Sequence, residues 1–229
     1  MDFSVAIVSS PGGRESNQDA CDYTLIESMG CFALSDGLGG HRGGEIASLA
    51  AIDGFLDAFE DGPDLSKQAM EQYLRAAHES VLKRRDEDSR LVRMRTTIVG
   101  LVCGHKDGEL QAIWGHVGDS RLYHFRQGRI LFQTRDHSVP QAMASAGEIL
   151  QEDIRGHEDR NRLVRALGKG EGLKPAIAAE PAMVKPGDVF LLCSDGLWEF
   201  VLEQDMEESL AGAASMEDWL WAMEGLVLA

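Results

Sequence analysis

Cysteine is scarce in this chain. The four residues Cys21, Cys31, Cys103 and Cys193 form no Cys-x-x-Cys pair. Three of them lie inside apolar, strand-like runs, where a free thiol behaves as a small hydrophobe. A disulfide framework and a zinc site are thereby disfavoured, and a reducing, cytoplasmic compartment is expected. No apolar run approaches the length of a membrane span, and the start, Met1 to Val5, carries neither a basic nor a long apolar stretch, so no leader and no membrane partner is expected. Positive charge is also in short supply: 22 Lys and Arg stand against 38 Asp and Glu, a formal charge of −16. A field of that sign argues against nucleic-acid binding. The few basic clusters, Lys83 to Arg85 and Arg90 to Arg95, read first as solvated helix ends. Proline-rich linkers, repeats and low-complexity tracts are missing, which leaves 229 residues for one domain.

What the chain does have is acids at the ends of apolar runs. Cys31 to Ser35 is a strand-like run that meets Asp36-Gly37-Leu38-Gly39-Gly40. Val189 to Cys193 ends in the same way, at Ser194-Asp195-Gly196. Between them, Ala112 to Val117 leads into Gly118-Asp119-Ser120-Arg121. Any one of these is explained by a strand and its turn. Three together suggest a polynuclear site of hard oxygen ligands, Asp36, Asp119, Asp195 and the Gly37 carbonyl, and that donor set favours Mg²⁺ or Mn²⁺ over zinc. Two such ions can activate a water and clamp a phosphoryl group. Arg14, in the loop before Asp19, is the cation placed to grip phosphate oxygens.

Periodicity sets the scaffold. Alternation predicts an opening strand over 3–8, strands over 20–27, 96–103 and 109–117, a hairpin over 121–133, and strands over 176–184 and 189–193. Helical spacing predicts helices over 44–60 and 65–86 and a helical end from Val201. Residues 136–172 are charged, Gly-containing and barely periodic, an excursion from the sheets. Strands, two helices, strands again and a helical end describe one α+β domain with antiparallel sheets.

The order of the motifs then becomes recognisable: Arg14-x-x-Asn17-Gln18-Asp19, Asp36-Gly37-x-Gly39-Gly40, Thr96-Thr97, Gly118-Asp119-Ser120-Arg121, Asp136-His137-Ser138, Ala166-Leu167-Gly168 and Ser194-Asp195-Gly196-Leu197. The series resembles the metal-dependent protein phosphatases (the PPM, or protein phosphatase 2C, family) in their compact bacterial form, from about Ser4 to Trp198. The resemblance implies a β-sandwich flanked by helix pairs and a dinuclear Mg²⁺/Mn²⁺ site at one end, with a third, weaker ion. It implies that Asp36 bridges the two metals, that Gly37 adds its carbonyl and that Asp195 binds the other ion. Asp119 would help hold the third ion, Asp19 would orient bound water, and Arg14 would bind the substrate phosphate. The activity implied is hydrolysis of phosphoserine or phosphothreonine by metal-activated water. The partners implied are phosphorylated proteins and a Ser/Thr kinase or its targets, met by a monomer. Residues 136–172 would be the flap beside the cleft.

Three departures stand out. Leu38 replaces a His that acts as general acid in some members; His41 nearby reads as a structural turn residue. Arg95 replaces the Gly before the paired threonines. The family's closing Asp-Asn pair, whose Asp binds the second metal, has no counterpart after Asp195; Asp205 and Asp218 lie in helical context and the chain ends at Leu228-Ala229. The C-terminal metal-ligand strand is thus expected to be missing, and the alternative reading is a catalytically weak module of the same fold that binds phosphoproteins or a kinase without turnover.

Overall fold

The computed structural model describes residues 3–14, 16–38, 42–170 and 172–228. Gly39, Gly40, His41 and Ala229, which the sequence reading singled out, lie outside the described residues. In chain order the elements are β1 (Asp19–Ile26), β2 (Met29–Leu38), α1 (Arg42–Asp61), α2 (Lys67–Glu87), β3 (Arg95–Thr96), β4 (Ile98–Lys106), β5 (Glu109–Val117), β6 (Arg121–Arg126) and β7 (Arg129–Gln133). They continue with α3 (Val139–Ala146), β8 (Ala176–Ile177), β9 (Ala182–Met183), β10 (Val189–Cys193), α4 (Asp195–Trp198), α5 (Glu203–Gly212) and α6 (Met216–Val227).

Two antiparallel sheets result. The larger runs β1-β2-β4-β5-β8, with β3 on β2 and β9 on β5; the smaller runs β10-β6-β7. Strand alternation assigns each side chain to a layer. On β4, Ile98 and Val102 join the cluster under α1 and α2, while Val99, Leu101 and Cys103 face the other sheet. On β6 and β10, Leu122, Phe190 and Leu192 meet them across the sandwich, and Tyr123, Phe125, Leu191 and Cys193 point outward to Trp198, Met206, Trp219 and Met223. The architecture is therefore helix pair, sheet, sheet, helices, as the family resemblance implies. Trp198 and Trp219 are core residues, whereas Trp221 is 63% exposed. Burial pushes the Cys103 and Cys193 thiols up to about 12, so both remain inert hydrophobes.

The helices begin where the sequence supplies caps. Ser66 accepts from Ala69 N at the start of α2, and Ser215 accepts from Asp218 N at the start of α6. Among the described residues no helix is long and apolar enough to cross a membrane.

Two strand expectations need correction. Phe3 to Val8 forms no strand: Phe3 packs edge-on against Phe32 at 5.7 Å, but Ile7 and Val8 stay half exposed. A cavity of about 1100 Å³ lies between this segment and β10, so its alternation finds no ladder to join. The strand predicted over 176–184 is broken into β8 and β9, both on β5. Pro181, which has no N–H to give, falls between them, and pairing continues only around it through Ala178 N to Trp114 O and Val184 N to Leu110 O, each 2.9 Å.

Candidate metal and phosphate site

The β1–β2 ladder sets Asp19 directly opposite Asp36, at the end of the larger sheet. Asp36 is held there from behind. Its N–H donates to Thr97 Oγ1 at 3.0 Å, and its carbonyl accepts from Thr96 Oγ1 at 2.7 Å and from Thr97 N at 2.9 Å. Ser35 Oγ donates to Thr97 O at 2.6 Å, and Thr97 Oγ1 shares a 2.6 Å hydrogen bond with Ser120 Oγ. The paired threonines are thus the clamp on the Asp36 backbone. Gly37 follows because nothing larger fits: a Cβ there would collide with the backbone of Gly44 in α1. Gly118 sits at φ +109°, where only glycine is unstrained, and turns the chain out of β5 to present Asp119.

The third acid arrives on a helix. Asp195 is the first residue of the one-turn α4, not the end of a strand followed by a simple turn. Its neighbour Ser194 donates to Asp19 Oδ2 at 2.7 Å, joining the exit of β10 to the start of β1 across the sandwich. Asn17, in the same loop as Arg14, accepts from Asp19 N at 3.0 Å and donates to Ser9 Oγ at 2.7 Å. Arg14 is exposed, and its charge acts on Asp195.

The electrostatics are those of carboxylates crowded in a dry place. Asp36 is 3% exposed and Asp119 4%. Burial first, then Asp195, Asp19 and Asp119, push the Asp36 carboxyl up to about 9. Burial and Asp195 push Asp119 up to about 8. Burial also raises Asp195, with Asp19 adding to it and Arg14 opposing. Asp36 Oδ1 is buried with no hydrogen-bond partner. An orphaned carboxylate oxygen facing other acids, with no His or Cys among the described residues that act on it, fits a hard divalent cation. Among the described residues no three acidic, His or Cys side chains close into a finished coordination shell.

Behind the acids lies a connector that sequence reasoning missed. Arg121, 5% exposed in its side chain, makes a bidentate pair with Asp136 at 2.9 and 2.8 Å. The same guanidinium stacks 3.6 Å from the Trp198 ring centroid, and Trp198 Nε1 donates to Asp119 O at 2.9 Å. One buried cation therefore ties the loop carrying Asp119, the helix carrying Asp195 and the start of the 136–172 segment. That segment also reaches α4 and α5 through Arg160–Glu199 and Arg155–Glu203, both 2.8 Å. The 1100 Å³ cavity is lined by Arg14, Asp19 and Asp195 at one end but runs mostly along apolar Phe190 and Leu192, away from Asp36 and Asp119. His116 is a satisfied structural residue, its Nε2 2.8 Å from Arg135 O and its ring stacked on His137.

A model of one family, protein phosphatase 2C, matches residues 12–223. The chain belongs to the protein phosphatase 2C family. A serine/threonine phosphatase of Listeria monocytogenes is 35% identical over 213 residues, covering 90% of this chain and 79% of that protein. The serine/threonine protein phosphatase PstP of Mycobacterium tuberculosis is 33% identical over 86% of this chain, which spans only 36% of that longer protein. The catalytic domain of PstP, solved in complex with two manganese ions, superposes with a TM-score of 0.76 at 28% identity over 94% of this chain and 86% of that one. Fold and enzyme class, as the motifs implied them, are borne out by these relatives.

Proposed function

We propose that this protein phosphatase 2C domain hydrolyses phosphoserine and phosphothreonine on proteins, with two Mn²⁺ or Mg²⁺ ions held at the β1–β2 end of the larger sheet. The observation that carries the proposal is Asp36: a buried carboxylate, with one oxygen unpaired, facing Asp195, Asp19 and Asp119. In this reading Asp36, the Gly37 carbonyl and Asp195 hold the two ions, and Asp119 with Asp195 takes a third, weaker one. The ions, when bound, would lower the pKa of water and neutralise charge on the transferring phosphoryl group. Asp19, itself fixed by Asn17 and Ser194, orients water at the site. Arg14 grips the phosphate through its planar fork, which is why a lysine would not replace it well. Residues 136–172 act as a flap over the cleft. The substrates are made by a Ser/Thr kinase, and a single chain supplies every residue of this set.

A weaker catalyst is the second reading, and a specific observation favours it. Asp205 and Asp218 lie in the first turns of α5 and α6, on the outer face of the smaller sheet, so neither is a ready substitute for the ligand the family resemblance asks for. Phosphopeptide and p-nitrophenyl phosphate hydrolysis in millimolar Mn²⁺ decides. Turnover that disappears in Asp36→Asn supports the phosphatase; phosphopeptide binding without turnover supports the binding module.

A further inference from the structure

In a chain with a surplus of acids, unpaired cations beside the site call for an explanation. Residues 83–95 hold six basic and three acidic side chains. The acids are all engaged, Asp86 by Arg85, Glu87 by Arg84 and Asp88 by Arg90. Lys83, Arg93 and Arg95 are exposed and have no partner among the described residues. One of these residues, Arg95, is carried onto the strand that pairs with the end of β2. Arg95 is paired with Leu38 and precedes Thr96, which is paired with Gly37 and hydrogen-bonded to the Asp36 carbonyl. Met94 is buried, so Arg93 and Arg95 project outward on either side of it. Gly168, where a Cβ would stand 2.7 Å from Met94 O, brings its neighbour Lys169 close to this stretch; Lys169 is half-buried and its Nζ donates to Val164 O at 3.3 Å but has no acidic partner among the described residues, and Arg85 Nη1 donates to Gly168 O at 3.0 Å. The β2–β3 pairing places Arg95 opposite Leu38, one residue beyond the Gly37–Thr96 pair, while Gly168 stays close to Met94 and the end of α2.

We propose that Arg93, Arg95 and Lys169 form an anion-binding rim that engages negatively charged groups flanking the phosphorylated Ser or Thr of the protein substrate. This rests on the phosphatase reading and deepens it, by naming acidic or multiply phosphorylated segments as the substrate class. The charge pattern supports it physically. An acidic substrate approaching a protein of net charge −16 is repelled except where a local positive patch offsets that field. The flanking charge can be carboxylate or a second phosphate; the rim recognises the shared anionic character.

The test compares three phosphothreonine peptides, with glutamate flanks, with a second phosphoserine and with glutamine flanks, alongside p-nitrophenyl phosphate. Each is assayed in Mn²⁺ at low and at 0.3 M salt. Wild type is expected to favour at least one anionic peptide over the neutral one by about fivefold in kcat/KM, mostly through KM, and to lose the preference in salt. Arg93→Glu/Arg95→Glu, and separately Arg93→Gln and Lys169→Gln, are expected to erase or reduce it while p-nitrophenyl phosphate turnover stays unchanged. Turnover with no preference, or a preference that survives charge reversal, overturns the rim. If wild type fails to cleave even p-nitrophenyl phosphate, the phosphatase reading falls first and the rim with it.

Discussion

Replacing Asp136 by alanine strips the buried Arg121 guanidinium of both its short carboxylate contacts, at 2.9 and 2.8 Å. Removing one partner of a buried ion pair costs roughly 3–5 kcal/mol, because the remaining charge stays desolvated. Here the lower end applies. Tyr123 Oη at 3.1 Å and the half-exposed Glu203 at 3.6 Å still face the guanidinium. A domain of this size loses about 2–4 °C in melting temperature per kcal/mol, so a loss of about 3 kcal/mol predicts a drop of roughly 6–12 °C. Calorimetry or dichroism with and without Mn²⁺ measures it. The double variant Arg121→Met/Asp136→Leu removes both charges and is expected to regain most of the melting temperature. Turnover is not regained, since the stacked cation that ties Trp198, and through it Asp119, is gone. A drop below about 2 °C for Asp136→Ala, or a double variant no more stable than the single one, would refute the reasoning.

Two further expectations follow from the same geometry. Thr97→Val keeps the volume but leaves the Asp36 N–H without its acceptor, at a cost of about 1–3 kcal/mol together with weaker Mn²⁺ binding; melting and metal titration unchanged from wild type would contradict it. Asp188 accepts from Arg126 Nε and Nη2, from Lys185 N and from His124 Nε2 within 3.0 Å. Burial opposes, yet these donors hold its carboxyl below the usual range. Its stabilisation is therefore complete above the ordinary carboxylate pKa of about 4 and is lost as pH falls below it. The melting difference between wild type and Asp188→Asn should be constant from neutrality to about pH 5 and shrink towards pH 3; a difference independent of pH would contradict this.

The acids of the site were legible because their signal is local. Asp36, Asp119 and Asp195 each follow an apolar alternating run and sit beside glycine, and two-residue periodicity locates such run ends well. The layers were legible for the same reason: Leu122, Phe190 and Leu192 alternate with Tyr123, Phe125 and Leu191. The partners of those acids were not. Ser194 and Asp19 are 175 residues apart, and Trp198 reaches Asp119 across 79, so each contact exists only once both sheets are stacked. Arg121–Asp136 joins a strand to a segment without periodicity. The opening strand was misread because alternation in Phe3–Val8 describes side chains, while a strand also needs a free edge within hydrogen-bonding distance. Pro181 explains the broken strand in hindsight, since a missing N–H interrupts a ladder whatever the side chains prefer.

The central claim is that buried Asp36 is a metal ligand of a working phosphatase. Isothermal titration with Mn²⁺, run beside phosphopeptide hydrolysis on wild type and Asp36→Asn, tests it most directly. The account predicts saturable binding with turnover in wild type and loss of both in a variant that still folds. Equal Mn²⁺ binding in the two proteins, or a folded wild type that binds none, would contradict it.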